Sequence, residues 1–503
     1  MKKIYLITVL IALVFAACKK DLGNYDYKEL NAASDFGTAF DNISALYGKR
    51  LIIKPVVSFT KDKGNDTTKY KYNWSYIGFT SSGSSQEIYS LANTKDLDIT
   101  MSLVAGNYTF FYTITDKESG VNYRKIFTVK VTNEINEGWM LMCDVKGVAR
   151  LDMLYKDNNG TFRLANDLLG QTGSGLVLSG KPVMIYMYST GVLAGPDKLN
   201  YGMYIGTNQT TEKIEPNTFK WTPTMGLKYE MYGAIPAGFY ADQIKTRYGN
   251  TAYMLGKSAA YVYDRPVNTY YSAPINYIDA EKKEFAIAPF IATSETTTTP
   301  GIFYDTDNRR FVKHVGSASS CTVIPDPSGA LKLFSFSTGK DLLYMDWVKY
   351  NGGEVFSILK DPATGKRYLA RFNNSNNIQS YYSEILGTDF DKAEHYAISP
   401  DLGYLFYTVG GKVYEYDMFL KTSKLMLDKG NQKISLLKFN VFKAEIKYPD
   451  GNKLIVCSYD TTLPEGENGK MEIFTVPTIN ADLVPLSTFS GFGKVQSLAY
   501  RER

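Results

Sequence analysis

The sequence predicts an all-β protein folded in two parts, and three observations carry that prediction. Strand-like alternation of apolar and polar residues recurs along the chain, while helical periodicity is nearly absent. Tyrosine is abundant, at 40 residues, and aromatic side chains make up 14% of the whole. Tyrosine favours pleated, half-buried surfaces, so its first role is structural; the same rings would also serve as platforms for sugars or peptides. A chain of 503 residues also exceeds what one hydrophobic core holds, so two or more domains are expected.

The first element is an export signal. Lys2 and Lys3 precede an apolar run over residues 4–15, which small residues close at Ala16-Ala17-Cys18. The run falls short of the about 20 residues that span a bilayer, and no later stretch reaches that length. Cysteine directly after two alanines resembles a bacterial lipobox, with Phe15 where leucine is usual. Residues 1–17 are thus read as a lipoprotein signal peptide and Cys18 as the lipidation site. The alternative is an ordinary cleaved signal in which Cys18 is a bystander. Several acyl chains on one cysteine anchor stably, since each buried CH₂ adds about 0.8 kcal/mol.

Residues 18–35 are polar and read as a tether. Residues 36–135 read as a small sandwich. Residues 51–59 form one expected strand. In residues 70–76, Tyr70, Tyr72, Trp74 and Tyr76 alternate onto one face, and residues 97–103 alternate again. Residues 108–115, a turn from Asp116 to Gly120, and residues 123–131 make a hairpin. Six or seven short strands with an aromatic on a central strand predict an immunoglobulin-like fold.

Residues 136–503 are repetitive. Turns with Asp326, Asp361, Asp401 and Asp450 each precede an apolar stretch, over residues 331–336, 368–372, 404–409 and 454–459. The four aspartates are roughly 35 to 50 residues apart, which is blade-like spacing. Gly410-Gly411 is a further hairpin signal before Val413, and residues 139–155, 183–205, 252–263 and 302–312 read as further strand pairs. At about 40 to 55 residues per unit this predicts a β-propeller of about seven blades, with six or eight also compatible. A pair of β-sandwiches is the alternative.

The string Gly23-Asn24-Tyr25-Asp26-Tyr27-Lys28-Glu29 directly after Cys18 resembles the PKD-like lipoproteins of Bacteroidetes. Further matches are Tyr70/Tyr72/Trp74, Asp116 with Gly120-Val121 and Tyr123, and Gly138-Trp139 followed by Gly147, Arg150, Leu151 and Asp152. Lys19-Lys20-Asp21 is similar to the surface-export signals of such lipoproteins. The resemblance covers the tether, the first domain and the first strands of the second. It implies a PKD/immunoglobulin-like module followed by a propeller-like domain. It also implies partners: a SusC-like TonB-dependent barrel, a SusD-like lipoprotein and other surface lipoproteins of an importer, often one for peptides.

Residues suited to catalysis are few. Only His314 and His395 are available, neither in a metal-binding spacing, and both read as structural residues on or beside strands. There is no GxSxG elbow. Residues 175–181 imitate a phosphate loop, but Pro182 stands where Ser or Thr should hold magnesium, so a hairpin is expected. Asp305-Thr306-Asp307-Asn308 lacks the glycine and distal glutamate of a calcium loop and reads as a turn, as do Asp157-Asn158-Asn159-Gly160 and Glu467-Asn468-Gly469. Cys143, Cys321 and Cys457 are too dispersed for a disulfide framework and read as buried free thiols. A net charge of +5, without a cluster of basic residues, gives nucleic acid no support as a partner.

The expected function is therefore a non-enzymatic surface subunit of a nutrient importer, binding an oligopeptide or oligosaccharide without a cofactor. No catalytic or metal-binding residue is assigned, and the ligand-binding residues are not assignable from sequence. A free-standing glycan-binding lipoprotein is the second expectation. A surface hydrolase or lyase using paired carboxylates is the third, because 51 acids leave many pairs open.

Overall fold

A computed structural model describes residues 29–502 except 80–84, 158, 190–200, 249–250, 265–270, 272, 443–445 and 449–450. The signal segment 1–17, Cys18, the export-signal residues and most of the tether lie outside the described residues. The chain divides into two compact units between Asn133 and Glu134. Strands dominate both, and among the described residues no helix is long and apolar enough to cross a membrane.

In the first unit a five-stranded sheet runs Ile43–Leu46, Asn122–Thr132, Gly106–Asp116, Tyr70–Phe79, Gln86–Ala92. The first of these pairs is parallel and the others are antiparallel. Two short ladders complete the unit, Arg50–Ile53 with Leu97–Thr100 and Ala33–Asp35 with Ser58–Phe59. Their apolar residues Ile53, Phe59 and Leu97 share one core with Tyr72, Trp74, Tyr112 and Val129 of the large sheet. Trp74 is fully buried, packs 4.3 Å from the Tyr112 ring, and donates its Nε1–H to Thr94 O at 2.9 Å. The expected alternation holds on this strand: Tyr70, Tyr72 and Trp74 are buried and Tyr76 is half-buried.

Three expectations are corrected here. Residues 51–59 are not one strand, because Pro55 lacks an N–H and the chain breaks between Arg50–Ile53 and Ser58–Phe59, which pair with different partners. The tether does not extend to residue 35: Ala33–Asp35 is a strand, and Asn31 donates to Asp62 and Tyr70 at 2.9 and 2.7 Å. The strand expected over 97–103 stops at Thr100. Among the described residues the unit has nine short strands, more than the six or seven expected.

Among its described residues the second unit contains seven antiparallel sheets of three or four strands and one two-stranded ladder, Tyr277–Ile278 with Lys283–Glu284. Sheets 2 to 7 open in turn with Pro182–Ser189, Gln243–Arg247, Gly301–Asp305, Asp341–Val348, Tyr396–Ile398 and Lys433–Asn440, and their strands follow in chain order. Sheet 1 differs. Its order is Lys494–Arg501, Glu137–Val145, Val148–Lys156, Phe162–Ala165, so a strand from beyond sheet 7 completes it. Isolated bridges Ala292↔Ile302 and Ile287↔Asp305 place a further segment against the first strand of sheet 4.

Apolar cores lie between successive sheets. Met140 and Met153 of sheet 1 meet Ile185 and Met203 of sheet 2. Tyr188 and Tyr204 of sheet 2 meet Ile244 and Met254 of sheet 3, and Tyr253 of sheet 3 meets Phe303 of sheet 4. Tyr304 meets Val355 of sheet 5, Phe356 meets Tyr407 of sheet 6, and Phe406 meets Val456 of sheet 7. The series returns to its start, because Ile455 and Cys457 of sheet 7 pack with Trp139 and Leu141 of sheet 1. Central strands are thus covered on both faces, and Thr251–Gly256 is buried at all of its residues.

The expected strand pairs at 139–155, 183–205, 252–263 and 302–312 are present, as is the Gly410-Gly411 hairpin. The four aspartate turns do not mark one repeated position. Asp361 joins the second and third strands of sheet 5, Asp401 the first and second of sheet 6, and Asp326 lies between sheets 4 and 5; Asp450 lies outside the described residues. The strand expected over 331–336 is absent. Its backbone is held by side chains instead: Gln379 Oε1 accepts from the N–H of Leu333 and Phe334, and Asp326 Oδ1 from Phe336 N at 2.7 Å.

Residues 175–181 form an irregular connection from sheet 1 to sheet 2, not a hairpin. Gly180, at φ +80°, accepts at its carbonyl from Ala149 N, and Lys181 N donates to Asn208 Oδ1. At Glu467-Asn468-Gly469 the positive φ belongs to Gly466, while Gly469 begins a strand. Gly469 is needed for close approach, since a Cβ there would lie 2.0 Å from Gly493 O.

Candidate functional site

Where sheet 7 meets sheet 1, a cleft of about 130 Å³ opens at the surface, room for about four waters. Strand register builds its wall. In Glu137–Val145, residues 137 and 139 share a face, Glu137 pairs with Lys156, and Trp139 lies opposite Tyr500. The Trp139 and Tyr500 rings meet edge to face at 4.9 Å. Phe442, just past Lys433–Asn440, stacks on Tyr448 at 5.0 Å and meets Tyr500 at 4.9 Å. Phe162 and Phe489 meet at 5.0 Å on the outer strands, and Ile455 and Ile473 also line the space. The Trp139, Phe442, Tyr448 and Tyr500 rings are buried, whereas Leu486 at the opening is 46% exposed.

Glu137 is the polar centre of this wall. It accepts from Tyr500 OH at 2.6 Å and from Tyr448 OH at 3.2 Å. Lys156 and Lys447 approach the same carboxylate at 3.5 and 3.9 Å. Each ammonium also lies over a ring, Lys156 over Phe162 at 5.4 Å and Lys447 over Tyr448 at 5.3 Å. Burial, followed by the hydrogen bond to Glu137, pushes the Tyr500 phenol far above its ordinary range, so it remains a donor. A third lysine, Lys453, lines the cleft. The arrangement can grip an apolar body among rings and an anion at the ammonium groups.

A second polar group joins the first strands of several sheets. Lys245 of sheet 3 pairs with Asp346 of sheet 5 at 2.6 Å. Tyr186 of sheet 2 bonds Thr246 at 2.9 Å, and Thr246 donates to Glu295 at 3.0 Å. Lys438 of sheet 7 donates to Leu498 O at 3.0 Å, and burial lowers its pKa.

The sequence-identified residues fall elsewhere. His314 is buried, its Nδ1 2.9 Å from Tyr253 OH and its Nε2 2.6 Å from Ala318 O. His395 immediately precedes the strand Tyr396–Ile398, and burial lowers the pKa of both imidazoles. Cys143, Cys321 and Cys457 are buried free thiols, as expected. Asp305-Thr306-Asp307-Asn308 is the expected turn, with Asp305 buried and bonded to Arg310 at 2.8 Å. Among the described residues no group of three or more His, Cys, Asp or Glu could hold a metal ion. The cleft residues were not legible as a site. Glu137 and Tyr500 are 363 positions apart, and no one-dimensional signal connects them.

The first unit and three of the four strands of sheet 1 fall within a known pattern. Residues 18–182 match the PKD-like family. The PKD-like stretch runs past Asn133 and ends at the first residue of sheet 2. No curated protein matches the chain. Among solved structures, a quinonprotein alcohol dehydrogenase-like protein from Bacteroides thetaiotaomicron is similar at 10% identity and a TM-score of 0.39, covering 95% of this chain and 100% of that one. The extracellular domain of a hybrid two-component system from B. thetaiotaomicron is similar at 10% identity and a TM-score of 0.39, covering 90% of this chain and 67% of that one.

Proposed function

We propose that the protein is a non-enzymatic outer-membrane lipoprotein, anchored through Cys18 and facing the cell exterior. It serves as an accessory binding subunit of a SusC/SusD-type TonB-dependent importer and captures oligopeptides. Residues 134–503 then form a seven-bladed β-propeller of a Bacteroidetes-type surface protein. The cyclic series of cores supports that architecture, in which the strand Lys494–Arg501 joins the last blade to the first and protects sheet edges.

The observation that carries the binding role is the lining of the seam cleft. Its titratable residues are Lys156, Lys447, Lys453, Tyr448 and Tyr500, set among rings. The adjacent Glu137 carboxylate is occupied by two phenols and two ammonium groups. Such a surface holds a ligand by stacking and charge. A second reading, a free-standing glycan-binding lipoprotein, draws on the same rings, which also stack on sugars.

Affinity purification from outer membranes in mild detergent tests the proposal. Stoichiometric recovery of a TonB-dependent barrel and its SusD-like lid is expected. Recovery of the protein alone, under conditions that keep barrel and lid together, would overturn the importer role and favour the glycan binder. Turnover of a polymer that is lost on replacing a single carboxylate would instead make it a hydrolase or lyase.

A further inference from the structure

We infer that the seam cleft binds the C-terminal residue of a peptide, with its apolar side chain among the rings and its free carboxylate against the lysines. The inference deepens the oligopeptide reading above and rests on it.

Size sets the first constraint. The cleft's volume of about 130 Å³ is close to that of an apolar cavity of about 150 Å³ that accepts a benzene molecule. One aromatic or branched side chain fills it, and the rest of a peptide leaves through the open side. The walls suit such a body: Phe162, Phe489, Ile455 and Ile473 supply apolar contacts, and the exposed Leu486 stands at the entrance.

Charge sets the second constraint. Three ammonium groups, from Lys156, Lys447 and Lys453, stand against two carboxylates, Glu137 in the wall and Glu502, whose charge also acts on the Tyr500 phenol. Lys156 and Lys447 stand 3.5 and 3.9 Å from it, beyond the about 2.7–2.9 Å of a charge-assisted hydrogen bond. Lys453 has no carboxylate partner among the described residues. The site therefore carries surplus positive charge beside an apolar, ring-sized space. A chain-terminal residue matches both features, because its carboxylate sits next to its own side chain and only one end of the peptide must leave the cleft. A neutral sugar would match the rings but leave Lys453 without an anion.

The test uses the full lipoprotein in detergent and the peptide Ala-Ala-Ala-Phe, with binding followed by calorimetry. The free acid should bind at least tenfold more tightly than its C-terminal amide, and high salt should narrow that gap. Lys453→Met should weaken the free acid about tenfold while leaving the amide unchanged. Phe489→Ser, at the partly open wall, should weaken both. Unchanged melting curves for the two variants would separate lost binding from lost folding. Equal affinity for acid and amide, or no binding of either at millimolar concentration, overturns the inference, as does preferential binding of a uronic-acid oligosaccharide. The importer role is read separately. If Lys453→Met protein still recovers the barrel and lid while wild type ignores the free acid, the cleft assignment fails and the assembly stands.

Discussion

Glu415 lies on the strand Lys412–Asp417, is 2% exposed, and has no hydrogen-bond partner for either oxygen among the described residues. Burial raises its pKa from 4.5 to about 7, against the pull of Lys424. The folded state therefore holds the proton more tightly than the unfolded chain does. The resulting stability is full below about pH 4.5 and is lost as pH rises through about 7. Glu415→Gln should remove this dependence and stabilise the protein at pH 8 by at most about 3 kcal/mol. Urea midpoints at pH 5 and pH 8 measure it; an unchanged difference between the two would contradict it. Nothing in the sequence marked this residue, because an acid in an alternating strand looks solvent-facing when both faces of its sheet are covered. Gly138 was visible only within a family resemblance, whereas its structural cause is local. At φ +148° a Cβ there would lie 2.0 Å from Leu154 O.

Strands and tight hairpins were the most legible elements. Gly410-Gly411 and Asp116 to Gly120 announced turns through residues that accept positive φ or cap the backbone, and the flanking strands followed. Strand ends were less legible. Pro55 divides what hydrophobicity alone reads as continuous, and the apolar residues Phe334 and Phe336 reach a core without any ladder. The repeated aspartates misled for a related reason: an Asp-Gly turn fits any hairpin, so it carries no information on which strands it joins. The closing strand Lys494–Arg501 supplies Val495, Leu498 and Tyr500 to the core between sheets 7 and 1. Removing residues 494–503 should therefore expose the Trp139 side of sheet 1. Limited proteolysis should then cut within residues 134–493 while sparing the first unit. Equal resistance of truncated and full-length protein would show that this strand is dispensable.

The division into a small sandwich and a larger repetitive part was legible because a sandwich-like strand pattern gives way to repeated strand pairs near residue 135, close to the break after Asn133. The pairing of sheet 1 with the distant strand was not, since no local pattern encodes a partner several hundred residues away. The seam cleft is a product of that pairing and was hidden with it. The proposed attachment to the membrane rests on different residues altogether. Cys18→Ala should abolish acyl labelling and shift the protein from the membrane fraction to the soluble one. Retained labelling would refute the lipobox reading.

The long-range completion of sheet 1 also orders events in time. Glu137 is made early in the second unit, while Tyr500 follows 363 residues later, so the first sheet of that unit to be synthesised is the last to be finished. Closing so long a loop costs entropy before any contact compensates, which makes this step slow relative to the local hairpins. During that interval the faces of Trp139 and Leu141 stand open to water and to neighbouring chains. Refolding yield should therefore depend steeply on protein concentration, even though sheets 2 to 7 form from strands that follow one another directly.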